Sequence, residues 1–164
     1  MKTQAPQLEA VSPQKGQNVN SIKHSAAFDI SQPIEYVFPL FSPEGEKRWI
    51  PHWSYQNVMG TTELSEDYVF LTKSHDHASA DAIWLVKRYI PETWLVQFYR
   101  VEPEDKVGIV TVQCSTISGG LTHVEVTYEY IPLSEKGREF VEGYTIEAYE
   151  EFIDHWKELL LQYF

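Results

Sequence analysis

Cysteine is nearly absent from this sequence of 164 residues, and the single Cys114 excludes an internal disulfide framework. Long apolar runs are also missing, since no stretch approaches the roughly 20 residues that a helix needs to cross a bilayer. No basic segment followed by an apolar one opens the sequence. We therefore expect a cytoplasmic protein without stable membrane insertion.

Basic residues are scarce as well. The sequence has 13 Lys and Arg against 24 Asp and Glu, which gives a formal net charge of -11. This excess of negative charge repels phosphate backbones and anionic membrane surfaces, so we expect no nucleic-acid partner. Hydrophobic residues make up 43% and aromatic residues 14% of the chain, which predicts a folded domain.

Sequence motifs for nucleotide binding and nucleophilic catalysis are missing: there is no G-x-S-x-G, P-loop or dinucleotide fingerprint. The one cluster of metal-ligand type is His75-Asp76-His77. Its two histidines are two positions apart in a polar loop with no cysteine nearby. We therefore interpret it as a solvated loop and predict neither a metal nor a cofactor.

The chain divides into a tail and one domain. Residues 1–20 are rich in Gln, Pro and Asn without apolar periodicity, which predicts a flexible N-terminal tail. The domain then covers residues 21–164, opening with an alternating strand over Ile22–Ser31. Ser31 and Ser42 both precede a proline closely, so each is expected to cap one of two short helices; the second would run from Glu44 to Trp49.

A run of antiparallel strands is predicted next, separated by turn residues. The strands cover Tyr68–Ser74, Ala80–Ile90, Trp94–Glu102, Val107–Ile117 and Leu121–Leu133, and a shorter strand pattern covers Tyr55–Met59. Gly119 and Gly120 predict a two-residue hairpin turn, because both can adopt positive φ. Strands connected in this local way favour one curled antiparallel sheet.

Alternation along the strands predicts which side chains face inward. The inward set is Phe70, Thr72, Trp94, Val96, Phe98, Val110, Val112, Cys114, Thr116, Val124, Val126, Tyr128 and Tyr130. His24 has inward parity on the first strand, where a hydrogen-bonded core histidine or a general base are both conceivable. The orientation of Ala82–Ile90 stays open, so either Lys87 or Arg88 could turn inward toward a ligand carboxylate.

The last segment, Ser134 to Phe164, predicts one long helix with Ser134 as its N-cap. Its apolar stripe is broader than the ~100° of an ordinary surface helix, so a curved sheet is expected to cover it. The small residues Thr145 and Ala148 lie at the centre of the stripe between large aromatics. Small residues there predict either close helix–sheet contact or an empty cavity.

The segment Phe38–Trp53, FPLFSPEGEKRWIPHW, is similar to the F-x-L-F-[ST]-P-E-G-E-x-x-W-x-P-x-W wording of bacterial polyketide cyclase/dehydrase-like (SRPBCC) proteins. The order of elements from Ile22 to Phe164 likewise resembles the START and birch-pollen-allergen superfamily. The resemblance implies an α+β helix-grip fold: a curled antiparallel β-sheet wrapped around a long C-terminal α-helix, with two short helices after the first strand. It also implies a cavity for a hydrophobic ligand between sheet and helix, and it supplies no catalytic residue.

The sequence therefore predicts binding or carriage of a small hydrophobic ligand, such as a lipid or polyketide, in that cavity. The expected ligand contacts are Phe38, Trp49, Trp53, Phe70, Trp94, Phe98, Val112, Cys114, Tyr128, Tyr130, Tyr144, Thr145, Ala148 and Phe152. One alternative is a cyclase or dehydratase in the same cavity, using His24 with Tyr128 or Tyr130. The other is a co-chaperone-like interaction module that uses an exposed patch.

Overall fold

The computed structural model describes residues 21–74 and 80–164. The predicted N-terminal tail and the His75-Asp76-His77 cluster lie outside the described residues. Within the described part, the chain forms one antiparallel sheet, short helices after the first strand, and two helices at the end. The predicted α+β helix-grip architecture is confirmed.

The sheet has six strands in the order β1-β6-β5-β4-β3-β2, and every neighbouring pair is antiparallel. The strands are β1 (Ile22–Ile30), β2 (Val69–Thr72), β3 (Ala82–Ile90), β4 (Leu95–Glu102), β5 (Lys106–Ser118) and β6 (Leu121–Pro132). The strand expected over Tyr55–Met59 is not formed. Only an isolated bridge between Gln56 and Leu71 is found there, because this segment follows the rim of the sheet without pairing further.

Alternation along the central strands is confirmed. Val110, Val112 and Cys114 of β5 are buried, as are Val126 and Tyr128 of β6. Thr116 is exposed, contrary to the predicted inward face, because it belongs to the end of the hairpin, where every residue from Ser115 to Gly120 is exposed.

The hairpin between β5 and β6 is present at Gly119 and Gly120, and Ser118 pairs with Leu121 across it. The expectation of positive φ at these glycines is wrong, since neither has it. A register irregularity lies beside the turn, between Thr116 and Ser118, and such irregularities increase the local twist of the strand.

The short helices after β1 are α1 (Ile34–Val37) and α2 (Pro43–Glu46), with a 3₁₀ turn over Phe38–Leu40 between them. Ser42 caps α2, because its hydroxyl accepts a hydrogen bond from the Gly45 amide at 2.9 Å. Ser31 was expected to cap α1, but the residue that directly precedes this helix is Pro33. Helix α2 also ends before the expected Trp49, since the chain continues in turns after Glu46.

The C-terminal segment is two helices, α3 (Glu135–Gly143) and α4 (Ile146–Tyr163), so the prediction of one helix is wrong. Ser134 caps α3 as expected. The chain then leaves the helical conformation at Tyr144, whose ψ is 98°. The hydroxyl of Thr145 accepts a hydrogen bond from the Ala148 amide at 3.2 Å and caps α4. A new helix therefore starts in the middle of the expected stripe.

The face of α4 that packs on the sheet differs from the predicted one. Its buried residues are Tyr149, Ile153, Trp156 and Leu160. Thr145 and Ala148 are exposed, so the expectation that they lie between helix and sheet is wrong. The reason is local: a threonine used as an N-cap presents its hydroxyl to the first turn, and its helix starts with a new rotational phase.

Candidate functional site

A cleft of about 560 Å³ opens between α4, the turns after α2, and strands β2 to β4. Its walls come from segments far apart in the sequence, which the curled sheet brings together. The lining residues are Glu46, Ile50, Pro51, His52, Trp53, Ser54, Thr72, Lys73, Ser74, Trp84, Arg100, Tyr128, Phe152, His155, Trp156 and Leu159. The cleft is large enough for a small organic molecule.

Aromatic rings form much of its wall. Trp53 meets Trp84 edge to face, with 6.5 Å between ring centroids, and the Trp53 indole N–H donates to the carbonyl oxygen of Pro43 at 2.8 Å. Behind this pair, the buried Phe70 stacks on Trp84 at 5.4 Å. Because each ring is held by a hydrogen bond or a second ring, this wall is largely preformed.

The opposite wall belongs to α4. Trp156 packs between Trp49 at 5.5 Å and Phe152 at 5.7 Å, measured between ring centroids. Tyr128 of β6 meets both Trp156 and Phe152 edge to face. The cleft therefore has two aromatic walls, one from Trp84 of β3 with Trp53 of the turns after α2, and one from α4 with Tyr128 of β6, which suit a flat or apolar guest.

Arg100 of β4 brings a positive charge to the cleft. Its guanidinium lies over the Trp84 ring at 5.4 Å, and its Nη2 contacts Glu102 Oε1 at 3.4 Å. The other Glu102 oxygen, Oε2, lies closer to Lys106, at 3.0 Å from its Nζ, so Glu102 is shared between two cations. The Nε atom of Arg100 is buried and has no hydrogen-bond partner in the described structure. The guanidinium at the wall of the cleft is thus only partly neutralised by Glu102, and such a cation favours an anionic or carbonyl group in the cleft.

Glu46, the last residue of α2, also faces the cleft. Among the described residues, no cation lies within salt-bridge distance of its carboxyl group. Burial raises the pKa of Glu46 to about 8, since the charged form loses hydration. At neutral pH this side chain is therefore mostly a carboxylic acid, which can donate a hydrogen bond.

Tyr128 supplies a third polar group. Burial raises the pKa of Tyr128 well above its ordinary value, with smaller contributions from Tyr130 and Glu46. Its hydroxyl makes no hydrogen bond to any residue in the ranges 21–74 and 80–164, and its residue lines the cleft. The phenol therefore remains protonated and can donate to a guest.

The predicted ligand contacts are spread over several places in the fold. Trp53, Tyr128 and Phe152 line the cleft. Trp49, Phe70, Phe98, Val112, Cys114 and Tyr130 are buried in the core around it. Burial raises the pKa of Cys114 to about 12, which makes its thiol a poor nucleophile.

The remaining predicted contacts lie away from the cleft. Phe38 packs on Trp94 at 5.7 Å between ring centroids, and Trp94 occupies a left-handed turn ahead of β4 and not the strand itself. Tyr144 stacks on Phe140 at 5.1 Å beside α3. Thr145 and Ala148 are exposed on α4, as described above.

The side chains considered for acid–base chemistry are also placed by the structure. His24 Nε2 lies 3.0 Å from the carbonyl oxygen of Tyr144, and its ring stacks on Tyr149. His24 is therefore hydrogen-bonded at the break between α3 and α4 and does not line the cleft. Arg88 is exposed next to a β-bulge in β3, so it is not the inward cation.

Sequence reasoning missed Glu46, Trp84 and Arg100 as residues of the cleft. Arg100 has the same parity as Phe98 on β4, so strict alternation would have placed it inward. Glu46 precedes the buried Trp49 by three positions, which puts the two side chains on one side of the turn. Both signals were present, but a charged residue at an inward position is against the usual pattern.

Metal and membrane features are not evident in the described ranges. No group of three or more His, Cys, Asp or Glu side chains there is arranged to hold a metal ion. Likewise, none of the helices described is long and apolar enough to cross a membrane.

The fold and the cleft between sheet and C-terminal helix define a protein of the helix-grip class. No protein-family model and no curated protein matches the chain, but many solved structures do. The major latex-like protein 151 of Panax ginseng is similar at 17% identity and a TM-score of 0.64, over 85% of this chain and 95% of that chain.

Two further structures extend this likeness. Norcoclaurine synthase of Thalictrum flavum, solved in complex with dopamine and hydroxybenzaldehyde, has a TM-score of 0.56 at 11% identity, over 87% of both chains. A protein of Thermus thermophilus has a TM-score of 0.56 at 18% identity, over 86% of this chain and 98% of that chain. At these identities the comparisons establish the helix-grip fold.

Proposed function

We propose that this protein binds a small hydrophobic molecule non-covalently in the cleft between the sheet and α4. The observation that carries the proposal is the pair of facing aromatic walls, Trp53 with Trp84 and Trp156 with Phe152, around a space of about 560 Å³. Apolar clefts with few polar groups are typical of small-molecule sites. Norcoclaurine synthase, which shares the fold, was solved with two small aromatic molecules.

Two measurements on the purified protein test this proposal. Extraction with organic solvent followed by mass spectrometry is expected to recover a hydrophobic compound. Titration of the protein, once freed of this compound, with the apolar probe N-phenyl-naphthylamine is expected to give a saturable rise in fluorescence. The recovered compound should displace the probe and reverse this rise. If the protein carries no compound and the probe does not saturate, the cleft is not a hydrophobic binding site.

A second candidate function is an acid-catalysed elimination of the dehydratase type, and the protonated Glu46 in the cleft favours it. Glu46 would protonate a hydroxyl of the substrate, which leaves as water. The resulting carboxylate would then take a proton from the neighbouring carbon, so Glu46 ends in its original state. This role does not need His24, which lies outside the cleft.

Replacing Glu46 separates binding from catalysis. The compound recovered by extraction is incubated with fresh protein, and products one water lighter are sought by mass spectrometry. The enzyme hypothesis expects such a product with the parent protein and none with Glu46→Gln, which keeps the shape and still binds. An unchanged compound with the parent protein identifies a carrier.

A further inference from the structure

Three residues bring polar groups to the otherwise aromatic lining of the cleft: Arg100, Tyr128 and Glu46. Among the described residues, the Tyr128 hydroxyl has no hydrogen-bond partner, and no cation lies within salt-bridge distance of the Glu46 carboxyl. A few polar groups in an apolar site commonly orient the polar part of a guest, so these three indicate where that part would bind.

The charges at the cleft indicate the sign of that polar part. In a protein of formal net charge -11, the cleft contains Arg100 within it and Lys73 at its rim. Glu102 offsets Arg100 only in part, because its Oε2 lies 3.0 Å from Lys106 while its Oε1 lies 3.4 Å from Arg100. The local excess of positive charge favours an anion.

The contact between Arg100 and Trp84 adds a fixed position to this charge. Trp84 is the cross-strand partner of Arg100, and its ring centroid lies 5.4 Å from the guanidinium carbon, so the ring holds the cation at the wall of the cleft. The paired N–H groups of a guanidinium match the two oxygens of a carboxylate. Tyr128 and the protonated Glu46 can donate hydrogen bonds to the same group.

We propose that the ligand of this cleft is an amphipathic organic acid, whose carboxylate binds Arg100 and Tyr128 while its ring or hydrocarbon body lies between the tryptophan walls. This inference rests on the proposed binding function and specifies the chemistry of its ligand.

A matched pair of probes tests it: naphthoate, which carries a carboxylate, and naphthamide, a neutral compound of the same shape. Their affinities for the extracted protein are measured by isothermal titration calorimetry at neutral pH. Hydrogen bonds to a charged group are stronger than neutral ones, so we expect naphthoate to bind at least about tenfold more tightly. Arg100→Met should remove this preference, and Arg100→Lys should keep part of it.

The control is Arg88→Met, which removes an exposed arginine of the neighbouring strand and should leave the preference unchanged. Equal or tighter binding of naphthamide by the parent protein overturns the acid proposal but leaves hydrophobic binding intact. Binding of neither probe overturns both. If Arg100→Met does not fold, the preference of the parent protein and of Arg100→Lys still decides.

Discussion

The hydroxyl of Tyr149 on α4 donates a hydrogen bond to the carbonyl oxygen of Val126 on β6, and both residues are fully buried. This contact joins the long helix to the middle of the sheet. Because its donor is on the first turns of α4, it fixes which face of the helix turns inward, and so which residues reach the cleft.

Removing the Tyr149 hydroxyl tests its contribution to stability. Tyr149→Phe keeps the ring and loses one hydrogen bond, so we expect the free energy of unfolding to fall by about 1 kcal/mol. For a chain of this size this lowers Tm by roughly 2–4 °C. Tyr36→Phe is the control, since Tyr36 is 65% exposed and should change little. Equal Tm values for the two variants would show that the bond contributes nothing.

Two glycines of α3 provide a matched pair for packing. A Cβ on Gly137 would lie 2.0 Å from the carbonyl oxygen of Asp105, whereas one on Gly143 would meet nothing within 4 Å. We expect Gly137→Ala to destabilise by about 1–3 kcal/mol or more through overpacking. Gly143→Ala should be neutral or stabilise by up to about 1 kcal/mol. Chemical denaturation measures both, and a stable Gly137→Ala protein would contradict the close approach of α3 to the turn before β5.

A tryptophan introduced on α4 should reduce probe binding on the side that faces the cleft and leave it unchanged on the exposed side. Leu159 lines the cleft, so Leu159→Trp is expected to lower the affinity for N-phenyl-naphthylamine by about tenfold or more by filling the space. Ala148 is exposed, so Ala148→Trp should change stability by no more than about 0.5 kcal/mol and leave probe binding intact. The reverse pattern would place the binding site on the outer side of α4.

The ionisation of Glu46 predicts a pH dependence for the binding of naphthoate. As pH rises from about 7 to about 9, Glu46 loses its proton and comes to repel a bound carboxylate, so affinity should fall. Glu46→Gln stays neutral and should flatten this dependence. Among the described residues, the other charged or titratable groups in or beside the cleft are His52, Lys73, Arg100, Glu102, Tyr128 and His155. Burial raises the pKa of Tyr128 well above its ordinary value, so its phenol stays protonated across this window.

The same ionisation affects the stability of the protein without ligand. The pKa of Glu46 rises from 4.5 to about 8 on folding, so between these values the folded protein holds a proton that the unfolded chain has released. The contribution of Glu46 to the free energy of unfolding therefore decreases as pH rises from 4.5 to about 8. Glu46→Gln should remove this decline in a series of thermal melts. A parallel decline in parent and variant would assign it to other groups.

Much of the sheet could be predicted because each residue of a half-buried strand points either toward the core or toward solvent, in strict alternation. Val112 and Val126 were placed correctly from parity alone. The start of α4 could not be placed in this way, because Thr145 fits both a helix interior and an N-cap. Placing it in the interior put Ala148 at the centre of the packing face, although it lies on the exposed side.

The cleft was harder to predict than the fold. An aromatic residue in a strand fits the core and the wall of a cleft equally well. Phe70 and Trp84 stack on each other, yet only Trp84 lines the cleft. Charged residues indicate a cleft more clearly than aromatic ones do. An arginine at an inward position, such as Arg100, would be unfavourable in a packed apolar core, so its presence there suggests a space beside it. A sequence pattern gives inward or outward, but the empty volume depends on how several distant elements meet.

The pairing of β1 with β6 sets an order in which the chain can assemble. Strands β2 to β6 each pair with a neighbour in the sequence, whereas Phe28 of β1 pairs with Val124 near the other end of the chain. β1 is synthesised well before β6, and closing the long loop between them carries an entropic cost. β1 therefore cannot join the sheet before β6 has been made, and its inward side chains stay uncovered until α4, which packs against β1, has followed.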